Sequence, residues 1–243
     1  MRVIEPSDLL RRAAGVLAPI RDDVVLIGAL AVQVALDGHG VPLTPTHDAD
    51  VGSSTEQAND VIARLEDAGL ERSDLPHERS FTWVAPGIKV QVVRPYHPFA
   101  KGASARLPVN NLIAELETNR WLVAFEEEPE HGLLWAARPA ALVALKENAF
   151  GRTRFGGEKV DRDFSDAALL LDRLGGEIAE EVTAGGQIRT RVAAAAHCLT
   201  EDPQAAAAAA RELVAMREVD SQRAGEALAR RAGRAALAAI GGS

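Results

Sequence analysis

Two aspartates one residue apart are the residues of this sequence best suited to chemistry. Asp48 and Asp50 stand in the segment THDADV, after a loop rich in Pro and Thr. Aspartate is also a common turn residue, so a plain turn is the competing interpretation. In a β-strand, however, side chains at i and i+2 project from one face. Two carboxylates on one face suit a divalent cation, so we predict that Asp48 and Asp50 bind Mg²⁺.

A glycine precedes this pair at a predicted turn from a strand to a helix. The apolar run VVLI at 24–27 is typical of a buried strand, and ALAVQVALD after Gly28 predicts a helix. Glycine lets the backbone approach a phosphate closely, and the first N–H groups and the dipole of a helix favour an anion. We therefore predict that Gly28 and Ala29 bind the phosphates of a nucleotide, and that the metal polarises the transferring group.

A second group of charged residues follows much later in the chain. Lys146 lies in LVALKENAF, and Asp163 and Asp166 lie in VDRDFSDAALLL. Lys159, Asp163 and Asp166 have the i, i+4, i+7 spacing of one helix face. Lys146 could neutralise a triphosphate, while Asp163 could orient the triphosphate or hold water on the metal. Alternatively, Lys146 and Asp163 form a structural ion pair between two helices, since such pairs also populate perturbed sites.

Together these segments resemble the nucleotidyltransferase superfamily, in which a Gly-Gly or Gly-Ser turn is followed by D-x-D on the next strand. LIGALAV and THDADV look most like the branch of AbiEii-type and MenT-like toxin nucleotidyltransferases. In that branch a lysine-bearing helix precedes a segment of the form Arg/Lys-Asp-x-x-Asp, and Lys146 and Arg162, Asp163 and Asp166 are similar to it. The resemblance covers roughly residues 22–175 in two patches. It implies catalytic roles for Asp48, Asp50, Lys146 and Asp163, and nucleotide binding by Lys146 and Asp166.

The sequence departs from the family pattern at two positions. Ala29 follows Gly28 where the family has Gly or Ser. Many members also carry a third carboxylate on a neighbouring strand, and on the segment IKVQVV that position is Gln91. A glutamine oxygen can accept a hydrogen bond or bind a metal weakly, but it cannot take a proton. Either the protein works with two metal ligands and a distant base, or it is catalytically degenerate.

Composition restricts the class of protein. The chain has 243 residues, a net charge of −8 and a single cysteine. One cysteine excludes an internal disulfide and fits a reducing compartment, and the N-terminus lacks a signal peptide, so we expect a cytoplasmic protein with no membrane segment. The net charge argues against indiscriminate coating of nucleic acid. The stretch 79–114, however, lacks Asp and Glu and carries Arg79, Lys89, Arg94, Lys101 and Arg106. It suits phosphate-bearing ligands, and a solvated loop region is the equal alternative.

The predicted elements form two domains. Ser7 is the expected N-cap of a first helix, SFTWVA and IKVQVV predict a hairpin, and WLVAFEEE and HGLLWAA predict another. From Pro139 onward the pattern is helical, with one helix expected to end at Gly175 and Gly176. We therefore expect an α+β fold: a nucleotidyltransferase-like domain with a small mixed sheet over residues 1–137, and a helical domain over 138–243.

The resemblance implies a magnesium-dependent, toxin-like enzyme. It would transfer a nucleotide from an NTP to an RNA acceptor, tRNA in the MenT-like case, or to a protein, and it would have a possible cognate antitoxin as a partner. Two alternatives stay open. One is a degenerate nucleotide-binding module, which Gln91 favours. The other is an aminoglycoside-type adenylyltransferase, which an acidic groove would favour and which the basic stretch 79–114 disfavours.

Overall fold

The structure, a computed structural model, describes residues 1–42, 46–53, 58–76, 81–93, 112–113, 115–128, 133–150, 158–182 and 186–241. The chain divides into two compact units. The first consists of Met1–Asp37 and Pro45–Arg138, and the second of Gly38–Thr44 and Pro139–Ser243.

The first unit is built on a mixed sheet of eight strands. The strands run in the order β1-β7-β8-β2-β3-β6-β5-β4. Three neighbouring pairs, β1/β7, β2/β8 and β3/β6, are parallel, and the other four are antiparallel. The strands are β1 Arg2–Ile4, β2 Val24–Ile27, β3 Asp48–Ser53, β4 Glu71–Arg72, β5 Thr82–Ala85, β6 Ile88–Val93, β7 Arg120–Phe125 and β8 Leu134–Ala137. The expected α+β class is confirmed, and the sheet is larger than the small one expected.

Local sequence explains most of these strands. Gly87 turns the chain between β5 and β6 with a φ of +76°, a conformation that glycine adopts without strain. Burial alternates along β6, where Ile88, Val90 and Val92 are buried and Lys89 and Gln91 are half-buried. Both expected hairpins are present. Strands β1 and β4 were not expected, because segments of three and two residues are too short to show an alternation.

Three helices and a short 3-10 helix complete the described part of the first unit. Ser7 caps α1 as expected, and its hydroxyl accepts the Leu10 N–H at 3.2 Å. The guanidinium of Arg2 donates to the carbonyl of Ala35 at 2.8 Å and so satisfies an acceptor in the last turn of α2. The helices are α1 Asp8–Leu17, the 3-10 helix Ala18–Asp23, α2 Gly28–Leu36 and α3 Ala58–Asp67.

The second unit is helical in its described residues from Pro139 onward. Its helices are α4 Pro139–Phe150, α5 Glu158–Glu181, α6 Gly186–Glu201, α7 Pro203–Ala215 and α8 Gln222–Gly241. The first helical segment of α5 ends at a kink at Leu174 (φ −122°, ψ 17°), beside the glycines where the sequence predicted an end. A second helical segment, which was not predicted, continues from the kink to Glu181. Ile178 and Val182 beyond the glycines are each 1% exposed, and this burial outweighs the low helix propensity of glycine, about 1 kcal/mol per residue.

Small residues let the helices of the second unit approach closely. A Cβ at Gly225 of α8 would lie 2.7 Å from the Cβ of Ala210 in α7, so only glycine fits there. Buried alanines fill much of α7, which includes Ala205, Ala206, Ala208, Ala209 and Ala210. Within the described ranges, no helix combines the length and the apolarity needed to cross a bilayer.

A strained residue ends α7. The N–H of Arg217 donates to the carbonyl of Val214 at 3.0 Å, and the N–H of Glu218 donates to the carbonyl of Leu213 at 3.0 Å. This pair of bonds is the Schellman motif, which places Arg217 at the position where glycine is usual. Arg217 accordingly has a φ of +61°. This left-handed conformation is energetically unfavourable for any residue that has a Cβ.

We expect Arg217→Gly to raise the free energy of unfolding by about 0.5–1 kcal/mol, since glycine relieves the left-handed strain and its greater freedom when unfolded offsets only part of the gain. Urea denaturation of the purified chain measures the change. Arg217→Ala is the control, because it removes the charge and keeps the Cβ. An equal gain in the alanine variant would show that charge, and not backbone strain, limits stability here.

Candidate functional site

The two aspartates lie on β3 and share one face of the sheet. Asp48 and Asp50 are half-buried, while Ala49 between them is fully buried on the opposite face. The Asp48 N–H donates to the Oγ1 of Thr46 at 3.4 Å, which fixes the chain where the strand begins. The turn interpretation of the aspartate pair is therefore wrong, and the expected strand with a shared face is observed.

The carboxylate of Asp50 lies against the first residue of α2. Ile27 at the end of β2 pairs with Asp50, so the next residue, Gly28, comes beside the Asp50 side chain. A Cβ at Gly28 would lie 2.9 Å from both Cβ and Cγ of Asp50 and closer still to Oδ2. Gly28 also has a φ of +71°. Glycine is thus required here for two reasons, space and backbone conformation.

The start of α2 lacks a cap from its own N-cap residue. Its N-cap residue, Ile27, makes no side-chain capping bond, and its first turn contains no acidic residue. Ala29, the second residue of the helix, is half-buried. A helix N-terminus with a nearby carboxylate can hold a phosphate through its amides and a cation through the carboxylate, which is the arrangement predicted for Gly28 and Ala29.

At the other end of β3, apolar side chains cover the same face of the strand. Gly52 lies two residues after Asp50, and a Cβ there would lie 2.9 Å from the Cδ1 atoms of Ile113 and Leu116. Both of these side chains are buried, at 3% and 1% exposure. The polar part of the face is therefore confined to Asp48 and Asp50.

Strand β6 extends this polar face. In the parallel β3/β6 pair, Asp48 is in register with Lys89, and Asp50 is in register with Gln91. Gln91 therefore occupies the place beside Asp50 where the resemblance led us to expect a third carboxylate. Among the described residues, no three His, Cys, Asp or Glu side chains converge to hold a metal ion. The donor set on this face is two carboxylates and one carboxamide.

This donor set fits Mg²⁺. Magnesium is usually held through one or two carboxylates, with substrate phosphates and water completing the octahedron. Asp48 and Asp50 supply two hard oxygen ligands on one strand, and the Asp50 carboxylate lies directly against the first residue of α2. A metal bound here would be held by Asp48 and Asp50.

Lys146, Asp163 and Asp166 form a second cluster, within the helical unit. The Nζ of Lys146 on α4 donates to Oδ1 of Asp163 on α5 at 2.7 Å. It also lies 2.6 Å from Oδ2 of Asp166, although that oxygen has no partner at hydrogen-bond angles in the described residues. All three side chains are only 10–11% exposed. The ion pair between two helices, one of the two sequence interpretations, is observed.

One ammonium group, that of Lys146, faces two buried carboxylates. Burial and charge act in opposite directions on the pKa values of Lys146 and Asp166. Burial lowers the pKa of Lys146, but the charges of Asp166 and Asp163 outweigh burial and hold that pKa above its usual value. Burial raises the pKa of Asp166, and the neighbouring Lys146 offsets the rise only in part. Lys146 is therefore charged, and the pKa of Asp166 stays above its ordinary value.

The sequence analysis missed Thr82. It stands opposite Gln91 in the β5/β6 hairpin, is fully buried, and its Oγ1 has no hydrogen-bond partner in the described part of the chain. The sequence did carry a signal for Thr82, because alternation along β5 puts Thr82 and Trp83 on opposite faces of the strand. Cross-strand pairing through the Gly87 turn would then have placed it beside Gln91.

Much of the predicted basic surface lies outside the described residues. Lys89 on β6 is described and half-buried. The others that the sequence analysis named from the stretch 79–114 lie outside: Arg79, Arg94, Lys101 and Arg106. The side chain of Lys159, expected on the helix face of Asp163, is likewise outside the described part.

We expect Gly28→Ala to lower the free energy of unfolding by more than Gly38→Ala does. Both glycines have a positive φ, but a Cβ at Gly38 would meet nothing within 4 Å, whereas one at Gly28 would meet Asp50. The left-handed cost of about 1–2 kcal/mol is common to both variants. Chemical denaturation of both variants gives the difference, which reports the Asp50 contact. Equal losses would mean that the Asp50 carboxylate moves aside freely.

We also expect Asp166→Asn to change how the free energy of unfolding depends on pH. Because the pKa of Asp166 is raised in the folded state, the folded protein binds more protons than the unfolded chain above about pH 3.9, and it loses stability as pH rises through this window. Asp166→Asn removes that loss, so its stability relative to the wild type should increase from acid to neutral pH. Asp163→Asn should lose about 1.5–3 kcal/mol at neutral pH, because it removes a charged hydrogen bond.

Denaturant titrations at pH 4.5, 6 and 8 measure this difference. A stability of Asp166→Asn that changes with pH in parallel with that of the wild type would contradict the raised pKa of Asp166.

Comparisons of the chain with protein-family models, with curated proteins and with solved structures return no match. The resemblance to nucleotidyltransferases therefore rests on residues of this chain itself. These are the glycine turn before α2, the aspartate pair of β3 and the lysine–aspartate cluster of α4 and α5.

Proposed function

We propose that this protein transfers a nucleotide from an NTP to an RNA or protein acceptor in a magnesium-dependent reaction. One observation carries the proposal: Asp48 and Asp50 share a face of β3, and the Asp50 carboxylate lies against the bare Cα of Gly28 at the start of α2. Carboxylates for a cation and helix amides for a phosphate are thus adjacent, which is what a metal–triphosphate ligand requires.

The chain's own residues have separable tasks in this proposal. Asp48 and Asp50 bind the cation, and Gly28 and Ala29 admit the phosphates to the amides of α2. A Mg²⁺ ion bound there supplies charge that polarises the transferring phosphoryl group and offsets the charge of the leaving pyrophosphate. Gly28 is indispensable because any Cβ would displace the Asp50 carboxylate.

Lys89 favours an anionic ligand over a cationic one. It is half-buried on β6, in register with Asp48, and therefore adds positive charge next to the carboxylate pair. A triphosphate or an RNA backbone is attracted by such a cation, whereas the ammonium groups of an aminoglycoside are repelled. This position supports a nucleic-acid or protein acceptor over the aminoglycoside-type alternative.

For Lys146 we propose the role that the resemblance implies, which is that of a ligand of the triphosphate. An ammonium group has three N–H donors, and its two carboxylate neighbours, Asp163 and Asp166, occupy at most two of them. These carboxylates also keep the ammonium charged. In the proposal, Asp163 orients Lys146, and Asp166 contributes to nucleotide binding through the same contact.

A second candidate function has one observation in its favour. Gln91 stands in register with Asp50, and a carboxamide cannot accept the proton that an acceptor hydroxyl must lose. A nucleotide-binding module without catalysis would tolerate this residue. The active enzyme requires a different route for the proton, either through another group or through an acceptor that is already deprotonated.

We expect Asp48→Ala and Asp50→Ala each to lower nucleotide transfer by about 100-fold or more, the size of effect found when one electrostatic stabiliser of a transition state is removed. The assay incubates the full chain with Mg²⁺ and each labelled NTP, and offers total RNA, tRNA, protein and an aminoglycoside as separate acceptors. Asp67→Ala is the matched control, since it removes an exposed carboxylate at the end of α3 in the same unit.

Three outcomes decide between the candidates. Transfer by the wild type and by Asp67→Ala, lost in both β3 variants, supports the proposal. Nucleotide binding without transfer to any acceptor selects the binding module. Full transfer by Asp48→Ala or Asp50→Ala would overturn the site assignment, and labelling of the aminoglycoside alone would select the adenylyltransferase.

A further inference from the structure

A row of polar side chains crosses three strands at the level of Asp50. Asp50 on β3 is in register with Gln91 on β6, and Gln91 is in register with Thr82 on β5. Residues in register on neighbouring strands project from the same face of a sheet. Gln91 is therefore flanked by the proposed metal ligand on one side and by the Thr82 hydroxyl on the other.

The hydrogen-bond pattern brings Gln91 and Thr82 close together. The N–H of Val92 donates to the carbonyl of Phe81 at 2.8 Å, and the N–H of Ser73 on the far side of β5 donates to the carbonyl of Thr82 at 2.9 Å. Because bonded and non-bonded pairs alternate along an antiparallel ladder, Gln91 and Thr82 form a non-hydrogen-bonded pair. The side chains of such a pair are the nearer ones, with Cα atoms about 4.5 Å apart.

The Thr82 hydroxyl is buried without a partner in the described residues. Thr82 is 0% exposed, and its Oγ1 makes no hydrogen bond there. A buried polar atom without a partner costs about 1–3 kcal/mol, so its retention requires an explanation. Ser73, its neighbour on the other side, already accepts the N–H of Leu75 at 3.3 Å. Besides the hydroxyl of Ser73, the neighbouring side chain with donors to offer is the carboxamide of Gln91, in register on β6.

We propose that Thr82 is a positioning residue that makes Gln91 the third oxygen ligand of the metal. When the cation binds, the Nε2–H of Gln91 would donate to the Oγ1 of Thr82, which has no partner in the described residues, and Oε1 at the other end of the planar amide would then face Asp50. Carboxamide oxygens bind hard divalent cations, as carboxylates do. This inference rests on the proposed function, since it concerns the cation that Asp48 and Asp50 would hold.

A neutral third ligand changes the charge of the site. With Gln91 the three ligands carry a charge of −2, and with a carboxylate at this position they would carry −3. The site therefore holds a divalent cation less tightly than a three-carboxylate site and depends more on the phosphates of the nucleotide. Gln91 then contributes an oxygen ligand and no proton acceptor, so the departure from the family pattern removes a route for proton transfer and weakens metal binding without abolishing it.

The test measures Mn²⁺ binding to the full-length chain by isothermal titration calorimetry, with no nucleotide and no turnover. We expect Thr82→Val to weaken Mn²⁺ affinity about tenfold, as outer partners of metal ligands do when removed. Thr82→Ser keeps the hydroxyl and should stay within about twofold of the wild type. Gln91→Leu should lose at least as much as Thr82→Val, and the double variant should lose no more than Gln91→Leu alone.

Thermal unfolding of the same samples separates positioning from structural damage. Thr82→Val removes a buried hydroxyl without a partner, so its melting temperature should equal or exceed that of the wild type while its Mn²⁺ affinity falls. Additive losses in the double variant, or wild-type affinity in Thr82→Val, would overturn the inference.

The Asp50→Ala variant distinguishes a failure of the inference about Thr82 from a failure of the proposed metal site. If Asp50→Ala abolishes Mn²⁺ binding and Thr82→Val leaves it unchanged, the metal site stands and Thr82 has no part in it. If the wild type binds no Mn²⁺, or if Asp50→Ala binds it as the wild type does, the metal site of the proposed function fails and the inference fails with it.

Discussion

The contact between the Asp50 carboxylate and the bare Cα of Gly28 is the constraint on which the candidate site depends. It requires β2 to end where β3 presents an aspartate, and it requires a residue without a Cβ in a left-handed conformation at the start of α2. A shift of one residue in the β2/β3 register would turn Asp50 to the opposite face. The register of the sheet, the start of the helix and the position of the carboxylate are therefore determined together.

The second charged cluster follows a different physical rule. Lys146, Asp163 and Asp166 are almost completely removed from water, and such charges are tolerated only when they are paired. Two carboxylates share one ammonium, so the burial of Asp166 is only partly offset. The cluster joins α4 to α5, and the carboxylates that hold Lys146 also keep it protonated.

Gln91 separates two tasks that a third carboxylate would combine. A carboxylate beside Asp50 would both bind a cation and accept a proton, whereas a carboxamide can do only the first. In our inference, the neighbouring buried hydroxyl of Thr82 orients this carboxamide by accepting one of its N–H groups. In the proposed function, the site therefore binds the metal and the phosphates, and the proton of an acceptor must leave by another route.

Local chemistry in the sequence determined most of the elements. The Ser7 cap, the Gly87 turn and the alternation along β6 act within a few residues, so the helix start and the hairpin were predictable, as was the shared face of Asp48 and Asp50. The sequence did not predict the short strands β1 and β4 or the continuation of α5 past Gly175, because packing against distant residues decides whether such segments form. It also could not show that Asp50 excludes a Cβ at Gly28, or that Lys146 pairs with Asp166 as well as with Asp163. Those contacts join residues 17 to 22 positions apart, and only strand register and helix packing bring such residues together.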